Sequence, residues 1–116
     1  MRHRKKLQKL GLAHDHRNSL LKNLVASLAL NGHIKTTEGR AKALASRFAR
    51  VMRLVQKKDK REAIRLLPRY CGIEAAARKI MELKEKYAKR QSGFTRITPL
   101  SLRKGDNATL VKIELV

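Results

Sequence analysis

The opening ten residues constrain the fold most, because they carry charge and almost nothing that can be buried. The stretch MRHRKKLQKL holds five cations and no acid, and its two leucines are the only residues that could help an apolar face. Fixing a residue costs about 1 to 2 kcal/mol of backbone entropy, and two leucines do not offset that cost. We therefore expect a polyanionic partner to order this stretch. A solvated tail without a partner is the alternative.

The whole chain shares this imbalance of charge. Over 116 residues, 29 lysines and arginines stand against nine acids, which gives a formal net charge of +20. Self-repulsion on this scale disfavours a compact state unless counter-charge is supplied, so we expect a complex with nucleic acid. With only two tyrosines and two phenylalanines, the chain lacks a stacking platform for single strands. Folded nucleic acid, held by its phosphates, fits better.

An anionic membrane surface is the competing polyanion. No segment approaches the roughly 20 apolar residues of a spanning helix, and neither end carries a signal peptide or lipidation motif. We therefore expect no membrane association.

Catalytic and metal-binding patterns are weak. The single Cys71 excludes an internal disulfide and a multi-cysteine zinc site, which favours a cytosolic protein with Cys71 in or near the core. His14, Asp15 and His16 are consecutive, so their side chains diverge at a helix start. No paired carboxylates or glycine-rich phosphate loop occurs. We expect no enzyme activity, metal, cofactor or small-molecule substrate.

Hydrophobic periodicity predicts about four helices. The first begins near Asp15 and ends at Asn31-Gly32, the second spans about 38–57, a short third ends or kinks at Pro68, and the fourth spans about 73–90. The fourth carries acids and bases in balance, so we expect it to face solvent. The predicted N-caps are Asp15, Thr36 or Thr37, and Asp59.

Three short β-rich segments predict a small sheet. HIKTT at 33–37 follows a glycine, 94–102 contains Pro99, which belongs at an edge or bulge, and 110–116 alternates apolar and polar residues. The last two should form a hairpin around the basic loop 103–107. We expect an α+β domain at 15–116 after a basic N-terminal extension at 1–14. Its helices should pack on one face of a three-stranded mixed sheet.

Cations concentrate on particular faces of these elements. The first helix carries Arg17 and Lys22 on its polar side. The second carries Arg40, Arg47, Arg50 and Lys57 opposite its apolar side, with Glu38 as its only acid. A solvated face would interleave acids with those bases, so we favour phosphate contact. The loop adds Arg103 and Lys104, which a hairpin turn alone does not need.

Four stretches of the sequence resemble one family. MRHRKKLQKLG with HDHRNSLLKNLV, then HIKTTEGRAKAL, and at the end SGFTRITPLSLRKGDNATLVKIELV, closely resemble the bacterial large-subunit ribosomal protein L17 family. The segment 56–77, with LLPRYCGIEAAA, departs from the family pattern and looks lineage-specific.

The resemblance implies a structural role. Members of that family have a small α+β domain with a basic N-terminal extension, bind large-subunit ribosomal RNA beside neighbouring ribosomal proteins, and lie near the exit of the nascent-peptide tunnel. The opening of this chain corresponds to the family's RNA-penetrating segment, and Lys35 with Thr36 and Thr95 with Arg96 match its strand motifs. The predicted RNA-binding residues are Arg2, His3, Arg4, Lys5, Lys6, Lys9, His14, His16, Arg17, Lys22, Lys35, Arg40, Arg47, Arg50, Arg96, Arg103 and Lys104.

Two other functions stay open. A nucleoid-type DNA-binding protein would share the charge, but it would usually show a dimer interface or a recognition helix, and neither is legible in the sequence. An RNA-modifying enzyme would need a catalytic constellation, and the sequence offers none.

Overall fold

A computed structural model of the protein describes His3 and residues 9–116, so most of the predicted basic extension lies outside it. Within that part of the chain, no helix is long and apolar enough to cross a lipid bilayer. The elements, in chain order, are α1 (His14–Asn31), β1 (His33–Thr37), α2 (Glu38–Lys57), α3 (Lys60–Leu66), α4 (Pro68–Cys71), α5 (Glu74–Lys86), β2 (Thr95–Leu102) and β3 (Thr109–Leu115).

The α+β class and the number of helices are confirmed. Only Leu67 separates α3 from α4, so the two form one interrupted helix, and the described chain then holds four helical units. The interruption falls at Pro68, which has no N–H to continue the ladder. Pro68 instead occupies the first turn of α4, and Gly72 closes that turn in the left-handed conformation, at φ 64°.

The two ends of α1 illustrate one wrong and one confirmed prediction. Asp15 does not cap the helix, because α1 begins one residue earlier and Ala13 occupies the N-cap position. Asp15 lies in the first turn, where a carboxylate still favours the helix dipole. At the other end Gly32, at φ 79°, donates its N–H to the Leu28 carbonyl at 2.8 Å, so the predicted stop is confirmed.

Of the other predicted N-caps, one makes its capping hydrogen bond and one does not. Thr37 stands at the N-cap of α2 but makes no side-chain hydrogen bond there. Asp59 caps α3 as predicted, because its Oδ1 accepts the Glu62 N–H at 2.9 Å. Such a cap contributes on the order of 1 kcal/mol to helix stability.

The sheet has the order β1-β3-β2 and is antiparallel throughout, so the prediction of a mixed sheet is wrong. β1 and β2 run in the same direction, but β3 lies between them and prevents a parallel pairing. The hairpin of β2 and β3 is confirmed. Its register shifts between Pro99 and Ser101, which is the bulge expected at a proline.

The core lies between the helices and one face of the sheet. Ile34, Ile113 and Ile97 sit side by side across the three strands, and all three belong to or pack against the core cluster. Phe48 of α2 is fully buried in that cluster. Phe94, just before β2, packs edge-on against Tyr87 with ring centroids 5.5 Å apart.

A side chain of α2 stabilises the end of α5. Gln56 donates its amide N–H groups to the carbonyls of Tyr87 and Arg90 at 2.8 and 2.9 Å. These carbonyls follow the last turn of α5, and that of Tyr87 also accepts the Arg90 N–H at 2.9 Å. The chain after Lys86 is therefore tied to α2.

Cys71 is buried, and its Sγ lies 3.2 Å from the Leu67 carbonyl oxygen. Burial raises the pKa of the thiol above its ordinary value of 9.0. Because the neutral thiol is favoured in the fold, its contribution to stability is complete below that ordinary value. The contribution is lost as the pH rises through the higher pKa of the folded state.

Cys71 should therefore react slowly in the native protein. At pH 8 we expect a disulfide reagent to label it at least roughly a hundredfold more slowly than in denaturant, because burial and a scarce thiolate both protect it. Absorbance of the released thiolate measures the rate. Complete labelling of folded protein within the mixing time would contradict this burial.

Truncation of the central aromatic should be costly. We expect Phe48→Ala to lower the free energy of unfolding by about 3 to 5 kcal/mol, because the buried ring leaves a cavity. The control is Ile64→Ala on α3, whose side chain is 52% exposed and which should change stability by less than about 0.5 kcal/mol. Urea unfolding followed by circular dichroism measures both variants. Equal losses of the free energy of unfolding would contradict the central place of Phe48 in the core.

Candidate nucleic-acid interface

α2 presents a stripe of cations along one side. Arg40, Arg47, Arg50 and Lys57 follow one another at helical steps, and over 17 residues the stripe is about 25 Å long at a rise of about 1.5 Å per residue. Arg47 is half-buried and the other three are exposed. The opposite side of α2 is buried in the core, so this helix both packs and carries charge.

Lys22 and Arg47, which the sequence predicted on two different helices, meet in one cleft. It encloses about 390 Å³ between α1, α2 and α4. The helical spacing of the α1 residues puts them on one face. The lining residues are Asp15, Asn18, Ser19 and Lys22 of α1, Arg47 of α2 and Arg69 of α4.

Arg69 also lines the cleft, although it is not among the RNA-binding residues predicted from the sequence. It lies in the segment 56–77, which we expected to depart from the family pattern, on a stretch predicted to be only a turn. The sequence did hold one signal, because Arg69 stands next to Tyr70 in a chain with only two tyrosines and two phenylalanines. In the structure the guanidinium carbon of Arg47 lies 5.5 Å from the centroid of the Tyr70 ring.

The predicted tail residues are only partly described. Arg2, Arg4, Lys5 and Lys6 lie outside the described residues, whereas His3 and Lys9 are exposed. His14 and His16, in the first turn of α1, are exposed as well.

The chain turns sharply where the tail joins the domain. Leu10 and Gly11 both have positive φ, 57° and 68°, and the Leu12 N–H closes the turn on the Lys9 carbonyl at 3.1 Å. Leu10 is half-buried, and its Cδ2 lies 3.8 Å from the position that a Cβ on Gly39 would take. The tail thus leaves the domain beside the start of α2.

Arg17 does not lie on the polar surface where the sequence placed it. Its side chain is 7% exposed, and its Nη1 lies 3.5 Å from the Leu12 carbonyl oxygen. The burial arises because the segment before α1 folds back over the helix. Contact of Arg17 with RNA stays a prediction, but its position favours support of this turn.

The outer face of the sheet carries further cations. Lys35 of β1 lies opposite Lys112 of β3, and Arg96 of β2 lies opposite Glu114. Glu114 is shared, with its oxygens 3.2 Å from the Lys112 Nζ and 4.0 Å from an Arg96 nitrogen. Lys35 has no ion-pair partner within the described chain.

In the loop between β2 and β3, Arg103 is paired and Lys104 is exposed. The Arg103 guanidinium donates two hydrogen bonds to the Asp106 carboxylate, of 3.1 and 2.6 Å. Asp106 also accepts the Ala108 N–H at 3.2 Å and so closes the turn. The Arg103 hydrogen bond, followed by that of the Ala108 backbone, lowers the pKa of Asp106 from 3.8 to about 2.

Several acids form ion pairs away from the cleft and the stripe, although Asp15 lines the cleft. Glu62 pairs with Lys58, Glu74 with Arg78, and Glu82 with Lys79, all within one helical turn on α3 and α5 or just before them. Glu38 lies 2.9 Å from Lys42, which is not part of the stripe. The positive charge of α1, α2 and α4 is therefore largely uncompensated by the described chain.

A small α+β domain with unpaired cations along one helix and in a polar cleft has the charge pattern typical of polyanion-binding proteins. Comparison with known proteins narrows that class. Residues 20–116 match the family model "Ribosomal protein L17". The chain therefore belongs to the ribosomal protein L17 family of bacterial large-subunit proteins, which its motifs resemble.

Individual relatives agree along the whole length. Large ribosomal subunit protein bL17 of Sulfurimonas denitrificans is 38% identical over 116 residues and covers all of both chains. The protein of the same name from Fusobacterium nucleatum subsp. nucleatum is 42% identical over 117 residues, again covering both completely. That of Carboxydothermus hydrogenoformans is 40% identical over 112 residues, which cover 93% of this chain and 96% of the relative.

The pKa of Asp106 provides a test of the loop geometry. Because the pKa is lowered in the fold, the stabilisation by the charged carboxylate is complete above 3.8 and is lost as the pH falls toward about 2. We expect Arg103→Gln to raise this pKa toward 3.8, measured by carbon-detected NMR titration. Lys104→Gln should leave it closer to the wild-type value. Equal shifts in the two variants would contradict the Arg103–Asp106 pairing.

Proposed function

We propose that this chain is a structural constituent of the large ribosomal subunit that binds and stabilises folded ribosomal RNA. The observation that carries this is the uncompensated cation stripe of α2 in a chain of the ribosomal protein L17 family. The partners are large-subunit ribosomal RNA and neighbouring ribosomal proteins, and the location is the ribosome in the bacterial cytoplasm, near the exit of the nascent-peptide tunnel.

The domain anchors the basic tail. The turn at Leu10 and Gly11, held against Gly39, fixes where the tail leaves the surface. That point adjoins the start of the α2 stripe, so the tail and stripe act as one cationic track. The tail then follows phosphates that tertiary folding of the RNA brings together, and each contact releases about 0.7 to 0.9 condensed counterions.

Recognition in this proposal depends on shape. Folded RNA offers a deep, narrow major groove, and its accessible minor groove shows 2′-hydroxyls and phosphates rather than a full base code. The described surface offers arginine and lysine side chains but few exposed rings. We therefore expect few base-specific contacts and a strong dependence of affinity on salt.

Association with the subunit is tested by sedimentation of tagged protein from a cell lysate through sucrose gradients in moderate and then high salt. We expect stable co-migration with the large ribosomal subunit. Migration with chromosomal DNA, or as free protein at moderate salt, would refute the proposal and favour the DNA-binding alternative.

The tail is tested by the triple variant Arg4→Ala, Lys5→Ala, Lys6→Ala. We expect weaker binding to large-subunit RNA, with the slope of log affinity against log salt lowered by roughly 2 to 3, because three phosphate contacts are lost. Thermal unfolding should be unchanged, since the tail contributes little to the core.

The charge-matched control replaces Lys60, Lys79 and Lys89, which are exposed on or beside α3 and α5, with alanine. This control should retain most of the affinity. An equal loss in both triple variants would mean that net charge alone, rather than the tail, determines binding. A large drop in melting temperature for the tail variant would contradict its role outside the core.

A further inference from the structure

We propose that the cleft between α1, α2 and α4 binds a single backbone phosphodiester of folded ribosomal RNA. This inference rests on the proposed function and adds a defined site to it. The site is built from Lys22, Arg47 and Arg69, with Asn18 and Ser19 beside them. The sequence placed two of these cations on separate helices and did not include Arg69.

The three cations come from three elements, and none of them has an ion-pair partner within the described chain. Within the described chain, none of Lys22, Arg47 and Arg69 forms an ion pair or a side-chain hydrogen bond, whereas cations elsewhere pair with nearby acids. Asp15 also lines the cleft, but it lies about 10 Å along α1 from Lys22. Charges gathered in this way repel one another unless an anion enters.

Arg47 is held in position before any ligand arrives. Its guanidinium stacks near the Tyr70 ring, at 5.5 Å, and α2 fixes its backbone. Its Nε is buried and has no hydrogen-bond partner among the described residues. A buried donor without an acceptor is unfavourable, and the described residues supply no partner for it.

The donor set suits a phosphodiester. The arginine fork matches two phosphate oxygens in one plane, and lysine adds a point charge. The Asn18 amide and the Ser19 hydroxyl supply neutral donors at the side. Asp15, at the far end of the cleft, supplies an acceptor for a ribose 2′-hydroxyl, the group that distinguishes RNA from DNA.

The cleft is also continuous with the rest of the interface. Arg47 belongs to the α2 stripe, between Arg40 and Arg50 on the same side. A strand of RNA following the stripe therefore passes the mouth of the cleft. This continuity favours a backbone phosphate over a free anion or a lipid headgroup.

The test compares Arg69→Gln with Arg65→Gln, because both arginines are exposed and lie one helical turn apart, but only Arg69 lines the cleft. Binding of the full chain to protein-free large-subunit ribosomal RNA is measured by filter binding across a potassium chloride series. We expect Arg69→Gln to weaken binding about tenfold and to lower the salt slope by roughly 0.7 to 0.9. Arg65→Gln should change affinity less than about twofold.

Arg69→Lys tests whether the planar guanidinium of Arg69 is needed in addition to its charge. This variant keeps the charge and loses the planar donors, so it should keep the salt slope and recover only part of the affinity. Thermal unfolding of all three variants must match that of the wild type. If Arg69→Gln proves to be destabilised, Lys22→Gln takes its place. The same losses of affinity and salt slope are expected for it.

Each outcome has one meaning. Equal effects of Arg69→Gln and Arg65→Gln would show that the cleft is not a phosphate site. In that case a loss of RNA affinity in the tail variant would still support the proposed function. Failure of the wild type to bind ribosomal RNA defeats the proposed function itself. If Arg69→Gln lowers only binding to vesicles with anionic lipid, the assignment to RNA is wrong.

Discussion

Electrostatic self-repulsion is the constraint on which the rest of this structure depends. A chain of 116 residues with a net charge of +20 must bury an apolar core without burying its cations, and it must leave those cations where an external anion can reach them. The fold meets both needs by separating them within single elements. α2 buries Leu44, Phe48 and Val55 on one side and exposes most of its basic residues on the other, with Arg47 half-buried.

The few acids are placed so as not to weaken this separation. Glu74 and Glu82 of α5 make pairs within their own helix, which adds helix support at little cost. Asp106 neutralises Arg103 within the hairpin loop, and Glu114 is shared between two bases on the sheet. Because these pairs are local, they leave the surface formed by α1, α2 and α4 positive, and that surface determines the kind of partner.

Local signals predicted the elements well, whereas long-range contacts did not follow from the sequence. The bounds of β1 and α2 agree with prediction because glycine, threonine and helical periodicity act within a few residues. The fourth predicted helix was too long, since α5 ends at Lys86 where the carbonyls of Tyr87 and Arg90 bond to Gln56. A partner 31 residues away in sequence leaves no local pattern. The order of the strands escaped prediction for the same reason.

The proposed anion site takes a cation from the segment 56–77, which carries no recognisable motif. Pro68 and Gly72 confine α4 to a single turn, and that turn divides its side chains between two environments. Cys71 is buried next to Leu67, which also belongs to the core. Arg69 and Tyr70, between them in sequence, face the cleft and the Arg47 guanidinium. A change of sequence here can therefore keep the core packed and still alter the anion site, because the two roles belong to different residues of one turn.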